Sequence, residues 1–220
     1  MTNNLLKQAQ DHIQSDSKKS EGTVKYKSFF KTFYTNVPNE DILMMAPENL
    51  AKTAEKHLTM SYERQVGDIP SIEIYTPTLK ENGWNAGRTI IDIVNDDMAF
   101  LVDSVVAEII RHKYQIAVFI HPILNAERNK KGEIQNIYNT PKDNKTCGQS
   151  HIHIELTQII SKAQCEELTE NLHKVLADAR IANRDWPEML EKVEEAKKAL
   201  KTAPSKFSDE VISEYEAFID

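Results

Sequence analysis

The sequence predicts an α+β protein, an antiparallel sheet with helices on one face and further helices attached before and after it. Three observations predict this. Residues 89–122, TIIDIVNDDMAFLVDSVVAEIIRHKYQIAVFIHP, read as strand, tight turn, helix and strand. Residues 150–159 alternate cleanly, with Ile152, Ile154 and Leu156 on one side and His151, His153 and Glu155 on the other, which marks a strand with one wet face. Finally, 220 residues with 40% hydrophobic content suffice for one core of ordinary size plus flanking helices.

In the first of these stretches, Ile90, Ile91, Ile93 and Val94 surround a single charge, Asp92, as in a core strand. Asn95, Asp96 and Asp97 follow, and Asp96 or Asp97 is expected to cap the next helix, whose free N–H groups and dipole favour a carboxylate. From Phe100, the residues Leu101, Val102, Val105, Val106, Ile109 and Ile110 recur at helical spacing and require a sheet to lie on. Residues 114–124 then read as one strand, closed by Pro122.

Ahead of this stretch, residues 2–14 read as a short amphipathic helix and 15–23 as a polar, mobile break, with order beginning near Val24. Tyr26, Phe29, Phe30, Phe33 and Tyr34 gather at roughly helical spacing, and a helix carrying them must dock on something. Residues 39–45 and 47–62 read as two more helices, with His57 at the rim of the second one's apolar face. Residues 71–76 form an edge-type strand ending at Pro77, and 79–88 return the chain antiparallel into the 89–94 strand.

Beyond Pro122, residues 124–134 read as a strand extension turning at 130–132, and 139–149 have the composition of a disordered loop. Ser161 to Gln164 has capping-box spacing, and Leu168, Leu172, Val175, Leu176 and Ala179 give a second long helix on the same sheet. Pro187 sits in the first turn of a further helix, residues 202–205 break it, and 208–220 are again amphipathic. The apolar face of this last segment runs to the final residues, so the chain is expected to be a fragment of something longer. The resulting division is a mobile segment 1–23, a helical segment 24–66, an α+β domain 67–186, and C-terminal helices 187–220 leading to a downstream region.

A net charge of −7 with scattered basic residues argues against nucleic acid or an anionic membrane as partner. No stretch has the length of a membrane span or the form of a signal peptide, and Cys147 and Cys165 have neither disulfide nor zinc spacing, so a soluble protein of a reducing, cytoplasmic compartment is expected. The chain contains no GxGxxG, GxxxxGK or GxSxG pattern, so no catalytic or cofactor-binding residue is expected in it. His151, His153 and Glu155, with His121 from the neighbouring strand, are donor types that zinc or ferrous iron takes, but i, i+2 side chains stand about 6.5–7 Å apart and need bending to share an ion. An ordinary half-exposed strand is the plainer reading. Asn95, Asp96, Asp97 and Asp103 likewise fit a helix cap better than a magnesium or acid–base cluster.

Taken together, Gly83 and Trp84, DDMAFLVDSV at 96–105, His121 and Pro122, SHIHIE at 150–155 and DWPEM at 185–189 give the chain a resemblance to the N-terminal region of the large bacterial NAD-dependent glutamate dehydrogenases, from about Tyr26 to the end. It departs from the family pattern at Ala99, where proline is usual, at Asn129, where RDxxG becomes RNKKG, and at Gln149, where glutamate normally precedes the serine. The resemblance implies an ACT-like, ferredoxin-like sheet in which the 71–76 strand takes the edge that no strand after the second helix supplies. It also implies a non-catalytic regulatory or assembly domain, with downstream domains of the same chain and further copies in a homo-oligomer as partners. Catalysis, and NAD as cofactor, would belong to the full-length enzyme that oxidatively deaminates L-glutamate. ACT-type domains hold an amino-acid effector at the first strand–helix turn, here Asn95, Asp96, Asp97, Met98, Ala99 and Phe100. The alternatives are a stand-alone amino-acid sensor and a metal-dependent enzyme using the His151, His153 and Glu155 strand.

Overall fold

The computed structural model describes residues 2–16, 20–130, 134–141, 146–201 and 208–219. The described residues include helices α1 (Thr2–Asp16), α2 (Ser20–Tyr34), α3 (Asn39–Leu43) and α4 (Pro47–Glu63), then strand β1 (Ser71–Tyr75) and the one-turn α5 (Leu79–Asn82). The chain continues through β2 (Ile90–Asp96), α6 (Leu101–Arg111), β3 (Ile116–Ile120), β4 (Ile123–Arg128), β5 (Ile134–Tyr138) and β6 (Thr146–Leu156), and closes with α7 (Lys162–Lys201) and α8 (Asp209–Ile219). It divides into two compact units, 1–177 and 178–220.

The first unit holds a six-stranded antiparallel sheet in the order β1-β2-β6-β4-β5, with β3 also paired to β6. β2 takes one edge of β6 from Gln149 to Glu155, so β3 and β4 share the other edge end to end, β3 along 153–156 and β4 along 146–150. Counting β2, β3, β6 and β1 as the four strands of a ferredoxin-like sheet, β1 occupies the edge expected of a strand after the second helix. The β4–β5 hairpin is an insertion between β3 and β6. The fold is α+β and ACT-like.

Alternation sorts the two faces. Ile91, Ile93, Ile152, Ile154 and Leu156 point to one side, where they pack with Leu101, Val105 and Ile109 of α6 and Leu168, Leu172 and Leu176 of α7. Both helices are amphipathic because each has only this face to cover. On the other side lie the flanking N-terminal helices: Phe29, Phe30 and Phe33 of α2 and Leu50, Ala54 and Leu58 of α4 cluster with Val118, Ile120 and Leu124. Tyr26 and Tyr34 donate their hydroxyl protons to the Ala51 and Leu50 carbonyls at 2.8 Å, which satisfies the polar ends of rings otherwise buried. Residues 2–16 join this layer as α1, whose Ala9 is fully buried; of the 15–23 break, residues 17–19 lie outside the described residues.

Several elements differ from expectation. The 114–124 strand is two strands creased at His121–Pro122, because Pro122 has no N–H for the ladder while its carbonyl accepts from the His151 N–H at 3.0 Å. The helix after β2 is not capped by Asp96 or Asp97: Asp96 belongs to the strand, and the helix begins after Phe100, whose φ of 64° lies in the left-handed region. Pro187 starts no new helix and sits inside the 40-residue α7. Its fixed φ is helical and the residues that follow it, Glu188 to Lys192, are good helix formers, so one lost backbone bond does not end the run. Part of the 139–149 loop is strand, since β6 begins at Thr146; residues 142–145, the 131–132 part of the expected turn and the 202–205 break lie outside the described residues. In the second unit Trp186, Met189 and Leu190 are exposed.

Leu168→Ala removes a fully buried side chain from the sheet–helix core and is expected to cost about 2–5 kcal/mol. Leu190→Ala, on an exposed position of the same helix, should stay within about 0.5 kcal/mol of the parent. Urea denaturation of the two variants checks both values.

Candidate functional site

The register of β2 and β6 places Asp92 opposite His153, Val94 opposite His151 and Ile90 opposite Glu155. These side chains share the face covered by α2 and α4, so the strand expected to have a wet face has none. His151 and His153 are 0% exposed and Glu155 is 3% exposed. Two helices that the alternation of β6 cannot reveal lie on top of them.

Helix α4 is cut to fit this polar row. His57 and Ser61, at i and i+4, share one stripe of the helix, and Arg64 follows at its C-terminal end. His57 Nε2 lies 3.1 Å from Asp92 Oδ1, the Ser61 hydroxyl donates to Gln149 Oε1 at 2.6 Å, and Arg64 Nη1 donates to Asp96 Oδ1 at 2.7 Å. His57 is therefore no rim residue. It is fully buried, with Phe33 against its ring at a centroid distance of 5.0 Å.

Asp92 is the hub. Its Oδ1 also lies 2.6 Å from His153 Nδ1, and its Oδ2 accepts from the Tyr75 hydroxyl at 2.9 Å. Behind His153, Nε2 faces Glu155 Oε1 at 3.8 Å, and Arg88 Nη1 donates to Glu155 Oε2 at 3.0 Å. His151 Nδ1 lies 3.4 Å from His57 Nδ1, and Phe29 and Phe33 close over the His151 ring edge-on. Asp92, His57, His151 and His153 are all 0% exposed.

Such burial disfavours charge, and the partners decide which groups keep it. Burial pushes the Asp92 carboxyl up, but His57 and His153 together outweigh this and hold it below the usual carboxylate range. For His153 burial pulls down, and Asp92, followed by Glu155, lifts the imidazole to about 9. Burial lowers His57, with Asp92 only partly offsetting it, and lowers His151 further still with the help of His57. Tyr75 is raised by burial and by Asp92, so it remains a hydroxyl donor. The result is an Asp92–His153 ion pair flanked by two neutral imidazoles.

The strand–helix turn singled out in the sequence is drawn into the same polar seam. Asn95 is fully buried, and its side-chain oxygen accepts from Arg64 Nη2 at 3.3 Å. Asp96 accepts from both the Arg64 guanidinium and, at 2.8 Å, the Gly67 N–H. The Asp97 N–H donates to the Gly148 carbonyl at 3.0 Å, and a Cβ at position 148 would lie 3.3 Å from the Asp97 Cβ, so glycine lets the two segments approach. Met98 packs partly against the α6–α7 core, whereas Asp97, Ala99 and Phe100 are exposed. His121, from the β3–β4 crease, hydrogen-bonds through Nε2 to the Ser150 hydroxyl.

Of the metal candidates read from the strand, His153 alone meets other donors suitable for one ion among the described residues. With His57 and Asp92 it forms a group in which one donor atom from each lies within 4.8 Å of the others. His151 and Glu155 stand behind these donors. The sequence reading missed His57, Arg64, Tyr75 and Arg88 as members of the network. Its one available signal was Asp92, a lone charge in a strand of β-branched residues.

Two variants probe the seam. Arg64→Met keeps the apolar stem and removes the guanidinium from Asp96, Asn95 and the Asp68 carbonyl; a loss of about 2–3 kcal/mol in urea denaturation is expected. His121 is lowered by burial, partly offset by Asp97. Its folded value thus lies below the unfolded value of about 6.5, so its contribution is fully present above that pH and is lost as pH falls through the folded value. Between about pH 7.5 and pH 5, His121→Gln should flatten the fall in stability by up to one histidine's share, at most about 1.4 kcal/mol per pH unit.

Comparison with known proteins places this geometry in a family. Residues 29–172 match the family model described as "Glutamate dehydrogenase, ACT1 domain". An NAD-specific glutamate dehydrogenase of Halomonas elongata is 28% identical over 188 residues, covering 84% of this chain and 11% of that protein. The protein of the same name from Pseudomonas aeruginosa is 27% identical over 159 residues, 72% of this chain and 10% of its own length. The chain thus spans about a tenth of the relatives it matches. With its matched region running from the aromatic helix α2 through the sheet into α7, the chain belongs to the glutamate dehydrogenase ACT1 domain family.

Proposed function

We propose that this chain works as a non-catalytic N-terminal regulatory or assembly domain of a large NAD-specific glutamate dehydrogenase. In that enzyme, catalytic and NAD-binding domains further along oxidise L-glutamate to 2-oxoglutarate and ammonia. The family match supports the enzyme; the state of the 95–100 turn supports assembly over sensing. An amino-acid effector there would need its carboxylate to meet backbone N–H groups at a helix start. Arg64, the residue that follows α4, instead engages Asn95 and Asp96, and the exposed Asp97 adds a charge of the wrong sign. Partners under this reading are the enzyme's downstream domains and further copies of the chain, which meet at sheet edges or helix faces. Cys147 and Cys165 are both free, in keeping with a reducing cytoplasm, and among the described residues no helix is long and apolar enough to cross a membrane.

The test is calorimetry of the purified 220-residue chain against a panel of amino acids and NADH, with light scattering on the same samples. A stable oligomer giving no heat is the expected result. Micromolar binding of one amino acid, abolished by Asp97→Ala or Phe100→Ala, would replace assembly by sensing. Binding of NADH would overturn the non-catalytic reading, and a monomer that gives no heat would count against both roles.

A further inference from the structure

The Asp92 hub has the layout of a metal centre as well as that of a hydrogen-bond network. Two imidazole nitrogens and one carboxylate oxygen lie within 4.8 Å of one another, from three different elements: His57 on α4, Asp92 on β2 and His153 on β6. Four-coordinate zinc holds such donors at about 2.0–2.2 Å, which sets neighbouring donors about 3.3–3.5 Å apart. The separations from Asp92 Oδ1 are 3.1 Å to His57 and 2.6 Å to His153. Both are shorter than that, so an ion would enter by opening the two Asp92 contacts.

The atoms facing away from this point supply an independent argument. In protein metal sites the outward atoms of the ligands are held by further polar groups that fix ring orientation and raise donor strength. Asp92 Oδ2 is held by the Tyr75 hydroxyl, and the His57 Nδ1 edge abuts His151. His153 Nε2 faces Glu155 Oε1 at 3.8 Å, too far for a hydrogen bond, and both atoms are buried without a hydrogen-bond partner. Buried polar atoms of this kind are uncommon. With these two atoms drawn together, a carboxylate–imidazole–metal chain would be anchored at its far end by Arg88.

We infer that His57, Asp92 and His153 form a buried binding site for one divalent cation of the zinc type, which clasps the N-terminal helices to the sheet. Asp92 and Glu155 supply two negative charges near the ion, and Arg88 is paired to the far oxygen of Glu155. Imidazole and carboxylate donors favour zinc over magnesium or calcium, which take six or more oxygens, and the three named here fill three of its four positions. The site is structural: its donors are fully buried, so the ion enters as the chain folds.

The chain, made without a histidine tag, is refolded with excess zinc or cobalt(II), desalted, and analysed by inductively coupled plasma mass spectrometry and visible absorption. One ion per chain is expected, with tetrahedral cobalt bands and no thiolate charge-transfer band. Refolding with a chelator should lower the thermal midpoint. His153→Gln should lose the ion, while His12→Gln, an exposed position on α1, should keep it. Native circular dichroism with no retained metal would overturn the proposal, as would a thiolate band assigning the ion to Cys147 or Cys165. Retention of the ion by a folded His153→Gln chain would also overturn it. Should His153→Gln fail to fold, the metal content and cobalt spectrum of the parent chain decide alone.

Discussion

A carboxylate at the centre of a sheet, with no water to solvate it, sets the terms for the rest of this molecule. An isolated Asp92 would be costly to bury, so an imidazole stands directly across the ladder and a second is lowered onto it by a helix. A phenol from the edge strand completes its coordination. Four elements distant in sequence thereby acquire one required geometry. The aromatic residues of α2 follow from this, since neutral His57 and His151 need an apolar cover that admits no competing water. Removing one member of a buried ionic group costs more than the whole group contributes. The network is therefore better described as specifying where α4 lies than as adding to stability.

The opposite face obeys plainer rules. There the isoleucines of β2 and β6 meet the leucines of α6 and α7, and any well-packed set of similar volume would serve. One face of the sheet is held by apolar packing alone, the other by an apolar cluster and a row of matched polar atoms. The α4 seam continues the second principle to the edge of the domain, where Arg64 ties the helix end to the turn after β2.

Much of this architecture was legible in the chain. Period-two alternation marked β1 and β6, the 3.6-residue stripe marked α6 and the first half of α7, and the crowding of aromatics in α2 required a docking surface. What alternation cannot encode is the partner of each face. HIHIE reads as wet because polar residues in a strand normally are, and only the three-dimensional position of α2 and α4 reverses that. His57 was hidden for the same reason: on α4 it looks like a rim residue until Asp92, 35 positions later, arrives beneath it. Pro187 misled through a rule about helix starts, although its ring permits the helical φ and strong helix formers follow it. The left-handed Phe100 had no sequence signal, because that conformation is usually announced by glycine or asparagine.

Strand β6 pairs with β2 on one edge and with β3 and β4 on the other, yet it is the last strand among the described residues. The surface that receives α2 is therefore incomplete until residue 156 has been made. During synthesis Phe29, Phe30 and Phe33 wait for about 120 further residues, roughly 6–25 s at ~5–20 residues per second. For that interval the aromatic side of α2 has only its neighbouring helices for cover.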